Sequence, residues 1–239
     1  MERPKIIEMV GVAGSGKSTL LMALGGRNRR IETLPLPRKI QYLPALARIV
    51  LLWLPIHLAK YRHARWFTPN EIRTIAYLET WLSYIRPWIA AKDLIVALDP
   101  GSVYWLSSLK EFGPPFTRDR VFLRWWEEKL DQWCSALDMI VWLEAPHELL
   151  LQRVVSRVEW HEAKFQSSAA ALDEFARLGV SYGKLIAEFL RRKRIRVFHY
   201  HTDQVSVGKM VDEIHSTVDI GRQIMSLSYS LKQKLSGNA

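Results

Sequence analysis

The chain has 239 residues, 49% hydrophobic and 24% charged, a globular composition that excludes a disordered or collagen-like chain and suits a single α/β domain. Its 34 Lys and Arg against 24 Asp and Glu leave a net charge of +10, which favours anionic partners: nucleotides, nucleic acid or a membrane surface. A single cysteine, Cys134, excludes an internal disulfide. It sits in a helical pattern without a basic flank, so it reads as a buried small hydrophobe rather than a nucleophile. Residues 1–5 carry no apolar signal region and run straight into a strand, so a cytoplasmic location is expected.

In chain order, residues 5–10 (KIIEMV) form a short apolar strand closed by Gly11. Residues 31–34 are a weaker strand candidate, followed by a turn at Pro35 and Pro37. Residues 43–59 are the most hydrophobic stretch; they contain Arg48, His57 and two prolines and fall short of the roughly 20 apolar residues that span a bilayer. Two readings stand: a helix packed over the sheet edge, or an interfacial helix. Residues 49–56 are apolar all round and Arg48, Lys60, Arg62 and Arg65 flank them, so partial exposure and peripheral membrane or protein contact through 43–67 are expected.

Residues 71–91 carry Ile75, Leu78, Leu82, Ile85 and Ile89 at helical spacing, and 118–137 carry Phe122, Trp126, Leu130, Trp133 and Leu137; each set is the buried stripe of an amphipathic helix. Between them, 94–98 (LIVAL) is a β-branched run ending at the turn Asp99-Pro100-Gly101. Residues 139–143 (MIVWL) end at Glu144-Ala145-Pro146, where Glu144 is a candidate cap for the next helix. Residues 195–200 (IRVFHY) are the last strand. Continuous short apolar runs fit strands buried on both faces, and strands alternating with helices predict a doubly wound parallel α/β domain.

The chemistry concentrates in Gly11-Val12-Ala13-Gly14-Ser15-Gly16-Lys17-Ser18-Thr19, a full G-x-x-x-x-G-K-[ST] match between a strand and a helix. Its glycines let consecutive backbone N–H groups face one phosphate chain at a helix N-terminus. Lys17 is placed to reach the β- and γ-phosphates of ATP, and Ser18 offers a hydroxyl to Mg²⁺. Asp99, at the tip of a neighbouring strand, is a second magnesium ligand or the base for an acceptor; Glu8 is a weaker candidate. Arg153 and Arg157 lie four apart and share a helix face, placed to clamp a transferring phosphoryl group. Residues 158–164, just beyond, form a polar loop, and His161 and Glu162 lack metal-site spacing. His199 and His201 alternate on the last strand with no third ligand nearby in sequence, so no zinc site is expected. The basic run 191–194 reads as a solvated helix C-terminus rather than a nucleic-acid patch.

With these parts in this order, the chain resembles the P-loop kinases, closest to the thymidylate kinase and deoxynucleoside kinase branch. The resemblance covers about 4–218, with the Gly11–Thr19 loop its specific element. It implies a three-layer fold whose five-stranded parallel sheet has the order 2-3-1-4-5. It implies a single domain over 1–225 with an acceptor-side insertion at about 36–92, a lid at about 157–169, and a tail at 226–239 that frays. The strand ending in Asp99 resembles the family strand that ends in an acid; members follow that acid with arginine, whereas here Pro100 and Gly101 follow. Residues 138–157 look like the strand, Pro-containing turn and arginine-bearing helix leading to the lid, and Tyr182 falls in the helix after it. Thr202-Asp203-Gln204 lies where the family's adenine-contacting loop follows the last strand. Arg73 is the candidate for an acceptor phosphate. The expected function is transfer of the γ-phosphate of Mg·ATP to a small acceptor, a nucleotide or nucleoside as in thymidylate kinase. The alternative is a nucleotide-dependent ATPase or switch module whose apolar segment engages a membrane or partner. A polynucleotide enzyme would suit the charge but has no nucleic-acid-binding motif to support it.

Overall fold

The structure, a computed structural model, describes residues 5–33, 42–92, 94–157 and 164–218. The predicted turn at Pro35 and Pro37, the loop 158–163 with its His161 and Glu162, and the tail lie outside the described residues. Five parallel strands, β1 (Ile6–Val10), β2 (Ile31–Glu32), β3 (Ile95–Leu98), β4 (Met139–Glu144) and β5 (Arg196–His201), form one sheet in the order β2-β3-β1-β4-β5. The helices are α1 (Lys17–Arg27), α2 (Leu43–Arg48), α3 (Leu54–Lys60), α4 (Pro69–Lys92), α5 (Ser102–Phe112), α6 (Arg120–Ala136), α7 (His147–Ser156), α8 (Ser168–Arg192) and α9 (207–218).

Strand alternation divides the core into two layers. Ile7, Met9, Ile95, Met139 and Val141 pack with Leu20 and Leu24 of α1 and Met210 and Ile214 of α9. Val10, Val96, Leu98 and Ile140 belong to the other, larger layer with α4, α5, α6 and α8. The predicted stripes lie in that layer. Phe122, Trp126, Leu130, Trp133 and Leu137 are all buried, as are Ile75, Leu78, Leu82 and Ile85; Ile89 is half-buried. The α6 helix starts at Asp119, whose carboxylate accepts from the Val121 N–H, the favoured N-cap chemistry. That bond, followed by the hydrogen bond and charge from Lys60, holds the Asp119 carboxyl below the usual carboxylate range.

The apolar stretch 43–60 is neither a helix over the sheet edge nor featureless. Pro55 lacks the N–H that would bond Leu51. The chain between α2 and α3 takes a π turn over Ile49–Trp53, and the Leu54 N–H donates to the Ile49 carbonyl five residues back. Ala45, Ile49, Trp53 and His57, each four apart, thereby stay on one buried face. Trp53 enters an aromatic cluster, 5.2 Å from Trp125, 5.5 Å from Phe122 and 5.8 Å from Phe116 between ring centroids. Arg48 bonds Glu79 of α4 at 2.8 Å, and Trp125 donates to the same carboxylate oxygen at 2.6 Å. The seat of this segment is therefore α4 and α6. On the outer face Val50, Leu51 and Leu52 are exposed, Leu51 to 70%. The flanking cations are largely engaged at home: Arg48 with Glu79, Lys60 with Asp119 and Arg65 with Glu71.

The basic run at 191–194 is not simply solvated. Arg192 pairs with Glu127, Asp131 and Glu188, and the Lys193 ammonium donates to the Ser135 and Leu137 carbonyls at 2.8 and 2.9 Å. It fastens the end of α8 to α6.

Glu8, in the central strand, is fully buried and points at the start of α5. It accepts from the Ser102 hydroxyl at 2.7 Å and the Val103 N–H at 2.6 Å. A Cβ at Gly101 would fall 2.4 Å from the Glu8 carboxyl carbon, so a larger residue there would displace the buried Glu8 side chain. Burial outweighs these hydrogen bonds and pushes the Glu8 carboxyl up to about 7. The raised value means that the native state favours the protonated acid. Its contribution to stability is full below the ordinary glutamate value and is lost as pH rises from about 4.5 to about 7. The parent should lose about 3 kcal/mol of unfolding free energy across that interval through this group. Glu8→Gln should lack that slope; denaturant curves at pH 5 and pH 8 that fall in parallel for parent and variant would contradict the assignment.

Candidate active site

The loop Gly11–Gly16 leaves β1 and delivers α1. Gly14 and Gly16 have φ of 83° and 92°, a region glycine enters freely. A Cβ on Gly14 would meet the Leu150 carbonyl at 2.5 Å, so the loop is pressed against α7. Lys17 donates to the Gly11 and Val12 carbonyls at 2.7 and 3.1 Å. Burial lowers the pKa of its ammonium; Asp99 opposes that shift and Arg157 adds to it. Ser15 is buried, its hydroxyl without a hydrogen-bond partner among the described residues. Thr19 lies in the first turn of α1 and is exposed, and Ala13 is half-buried on the loop.

Asp99 stands across from the loop because β3 pairs with β1 in parallel, with Glu8 opposite Leu98. The Ser18 hydroxyl donates to the Asp99 carboxylate at 3.3 Å. A hydroxyl and a carboxylate at this separation, both oxygen donors beside a phosphate loop, suit Mg²⁺ held directly or through water. The Asp99–Pro100 peptide is cis. The turn that follows has glycine as its second residue after the acid, and Glu8 occupies the space behind it. Glu8 is thus a buried partner of α5 rather than a group in the cleft. Sequence reasoning missed Glu32. It ends β2 and lines, with Ser18, Met22 and Asp99, a cleft of about 510 Å³. An acid at the carboxyl end of a parallel strand was the available signal.

The two arginines do not share a helix face. Helix α7 ends at Ser156, and Arg157 is extended at its C-cap with φ −74° and ψ 151°. Arg153 donates to the Gly14 carbonyl at 3.4 Å, the Thr202 hydroxyl at 2.9 Å and the Thr202 carbonyl at 3.3 Å. It therefore ties the phosphate loop to the β5–α9 connection. Asp203, next to Thr202, faces Gly11 and Val12 across a cavity of about 460 Å³. Arg157 lies within electrostatic reach of Lys17.

A larger cavity of about 970 Å³ opens beside Pro100 between α4, α5 and α8. Tyr42, Tyr77, Tyr104 and Trp105 give it aromatic walls, and Arg73, Asp173, Glu174 and Arg177 give it charge. Arg73 lies close enough that its charge acts on the Tyr42 phenol, which burial holds above its usual range. The Tyr77 hydroxyl donates to the Pro100 carbonyl at 3.3 Å, linking this cavity to the Asp99 turn. Tyr182 is buried under the neighbouring cavity.

Glu144 does not cap α7, whose start has no side-chain cap bond. It lies 2.6 Å from His199 Nε2, with His201 close by. The expectation that His199 and His201 have no third ligand near them is corrected: Glu144 is distant in sequence and adjacent across the β4–β5 pair.

The sequence matches no protein-family model and no curated protein. Solved structures do resemble it. Thymidylate kinase from Candida albicans superposes with a TM-score of 0.52 at 12% identity, covering 92% of this chain and 93% of that one. Deoxyadenosine kinase from M. mycoides, solved with bound dATP, superposes with a TM-score of 0.50 at 11% identity, covering 90% and 99%. The architecture is that of a P-loop kinase. The deoxyadenosine and thymidylate kinase structures share this fold over nine-tenths of the chain.

If Ser18 and Asp99 hold the metal, Asp99→Asn should remove most of the gain in ATP affinity that Mg²⁺ provides, and leave metal-free nucleotide binding nearly unchanged. Titration calorimetry with and without Mg²⁺ separates the two, and an undiminished magnesium effect in the variant would relieve Asp99 of that role.

Proposed function

We propose that this protein is an ATP-dependent phosphotransferase that moves the γ-phosphoryl group of Mg·ATP to a small acceptor of the nucleoside or nucleotide kind. One observation carries the reading: the phosphate loop with its Ser18–Asp99 pair and a separate aromatic cavity meet at the same Asp99–Pro100 turn. Catalysis by such a kinase is mainly positioning and charge stabilisation. The backbone of 11–16 and Lys17 would cradle the β- and γ-phosphates. Ser18 and Asp99 would hold Mg²⁺, which when bound would supply positive charge to the phosphates. Asp99, at the turn that borders the aromatic cavity, would orient an acceptor hydroxyl or take its proton, and Glu32 lines the same cleft as Asp99. Arg157 would add charge on the lid side, and Arg153 with the Thr202–Asp203 connection would border the nucleotide base. The aromatic walls of the large cavity suit a flat base, and Arg73 suits a phosphate on the acceptor, which favours a nucleoside monophosphate such as thymidylate.

Mg·ATP mixed with nucleosides and nucleoside monophosphates in turn should release ADP with at least one of them. Lys17→Ala should lower that turnover by about 10²–10³-fold, the usual cost of removing one charge-stabilising donor. Arg73→Ala should raise KM for a phosphorylated acceptor far more than it lowers kcat. ADP release that ignores every acceptor would favour a nucleotide-dependent switch over a kinase.

The exposed Val50, Leu51 and Leu52, with Leu43 and Leu58, support a second, compatible element: peripheral contact of a cytoplasmic enzyme with a membrane through 43–67. Contrary to the shortfall expected from the sequence, the helical stretch Leu43–Lys60 is by length and composition apolar enough to cross a bilayer, but its anchors Ile49 and Trp53 are buried in the folded domain. Because Arg48, Lys60 and Arg65 are ion-paired, the contact would rest chiefly on apolar insertion. Vesicle flotation should recover the parent, and replacing Leu51 and Leu52 together by Ser should release it. Trp53 is unsuitable for this test, since it is buried. Parent protein that stays wholly in the soluble fraction would end the membrane reading.

A further inference from the structure

The parallel register of β4 and β5 sets Trp142 beside His199 and Glu144 beside His201. Residues two apart on a strand face the same way, so Glu144, His199 and His201 emerge together on one face of the sheet, at the edge formed by β5. One ligand atom from each lies within 4.8 Å of the other two. The His199 and His201 ring centroids are 5.1 Å apart. Two imidazoles bound at the usual zinc–nitrogen distance and tetrahedral angle place their centroids about 5.2 Å apart. Trp142 stacks on the His199 ring at 4.2 Å and 14°, so one ligand is held in orientation before any ion arrives. The His199 and Glu144 side chains are 40% and 31% exposed, and His201 is exposed as well, leaving a path for a cation and room for water to complete its shell.

We propose that Glu144, His199 and His201 bind one divalent cation of the zinc class. Two imidazoles and one carboxylate select a late first-row ion, whereas Mg²⁺ prefers an all-oxygen shell. The site is therefore chemically distinct from the Ser18–Asp99 pair. An ion pair between His199 and Glu144 accounts for their 2.6 Å approach, and the strand register adds His201 as a third donor on the same face. The ion would join the tips of β4 and β5. His201 directly precedes Thr202, whose N–H donates to the Glu144 carbonyl at 2.8 Å and whose hydroxyl and carbonyl receive Arg153. Metal binding thus stiffens the connection that Arg153 ties to the phosphate loop.

The test uses the full chain, freed of metal by a chelator and then dialysed. Zn²⁺ titrated by calorimetry in the presence of millimolar Mg²⁺ should bind with one tight site per chain and raise the melting temperature. Co²⁺ in its place should develop the visible absorption of a low-coordinate nitrogen and oxygen site. His201→Ala and Glu144→Gln change partly exposed side chains, and circular dichroism checks that each variant is folded. Each should weaken Zn²⁺ binding by at least the roughly tenfold that loss of even a supporting partner costs. Zn²⁺ binding that is absent in the parent, displaced by Mg²⁺, or equally tight in both folded variants would overturn the proposal. None of these readouts requires ATP or an acceptor, so failure here leaves the kinase reading standing, and absence of kinase activity leaves the metal site standing.

Discussion

Parallel pairing of β1 with both β3 and β4 is the constraint from which the site follows. In a parallel sheet all carboxyl ends lie on one edge, and the middle strand meets a neighbour on each side. The loop leaving β1 is consequently flanked by the Asp99 turn on one side and by the β4–α7 junction on the other. The close approach of Gly14 to the Leu150 carbonyl and of Ser18 to Asp99 are both products of that arrangement. The ends of α7 and β5 then complete the cleft through a single guanidinium, Arg153.

Charge is distributed in depth across these neighbouring strands. A carboxyl group in the sheet interior, Glu8, is compatible with its surroundings because burial raises it to about 7, which favours the neutral acid below neutrality, and because the first groups of α5, the Ser102 hydroxyl and the Val103 N–H, donate to it. Asp99 stands beyond the end of β3 with Ser18 and Lys17 as neighbours. The two acids therefore have separate roles, since Glu8 fixes the start of a helix while Asp99 faces the cleft. The same arrangement accounts for a glycine shortly after Asp99, since the buried carboxyl fills the volume a larger residue would need.

Much of the fold was legible because its signals are local. Apolar runs such as 94–98 and 139–143 and the helical stripes through Leu78 and Trp133 report burial directly, and the spacing of Gly11–Thr19 marks a glycine turn between a strand and a helix by residue type alone. What escaped depends on neighbours far away in sequence. Glu32 and Glu144 acquire significance only once strand order is known. Arg157 reads as helical in sequence because spacing alone cannot reveal that the helix stops one residue earlier. The run at 191–194 reads as solvated because its acidic partners, Glu127 and Asp131, lie on another helix. The apolar stretch at 43–60 reads as uniform because a period of about 3.6 does not describe a segment that turns more slowly.

That slower turn shapes the outside of the molecule as well as its packing. An α-helix that keeps every fourth residue anchored must rotate its anchors steadily away from the core, and its outward residues spread around the cylinder. With a π turn between Ile49 and Trp53, the two anchors remain aligned, and the three residues between them, Val50, Leu51 and Leu52, are pushed outward as one contiguous convex ridge. The bulge thereby turns a sequence with no polar face into an element with two distinct sides: a flat keel set among aromatic rings, and an oily crest whose width is fixed by a single extra residue in the backbone.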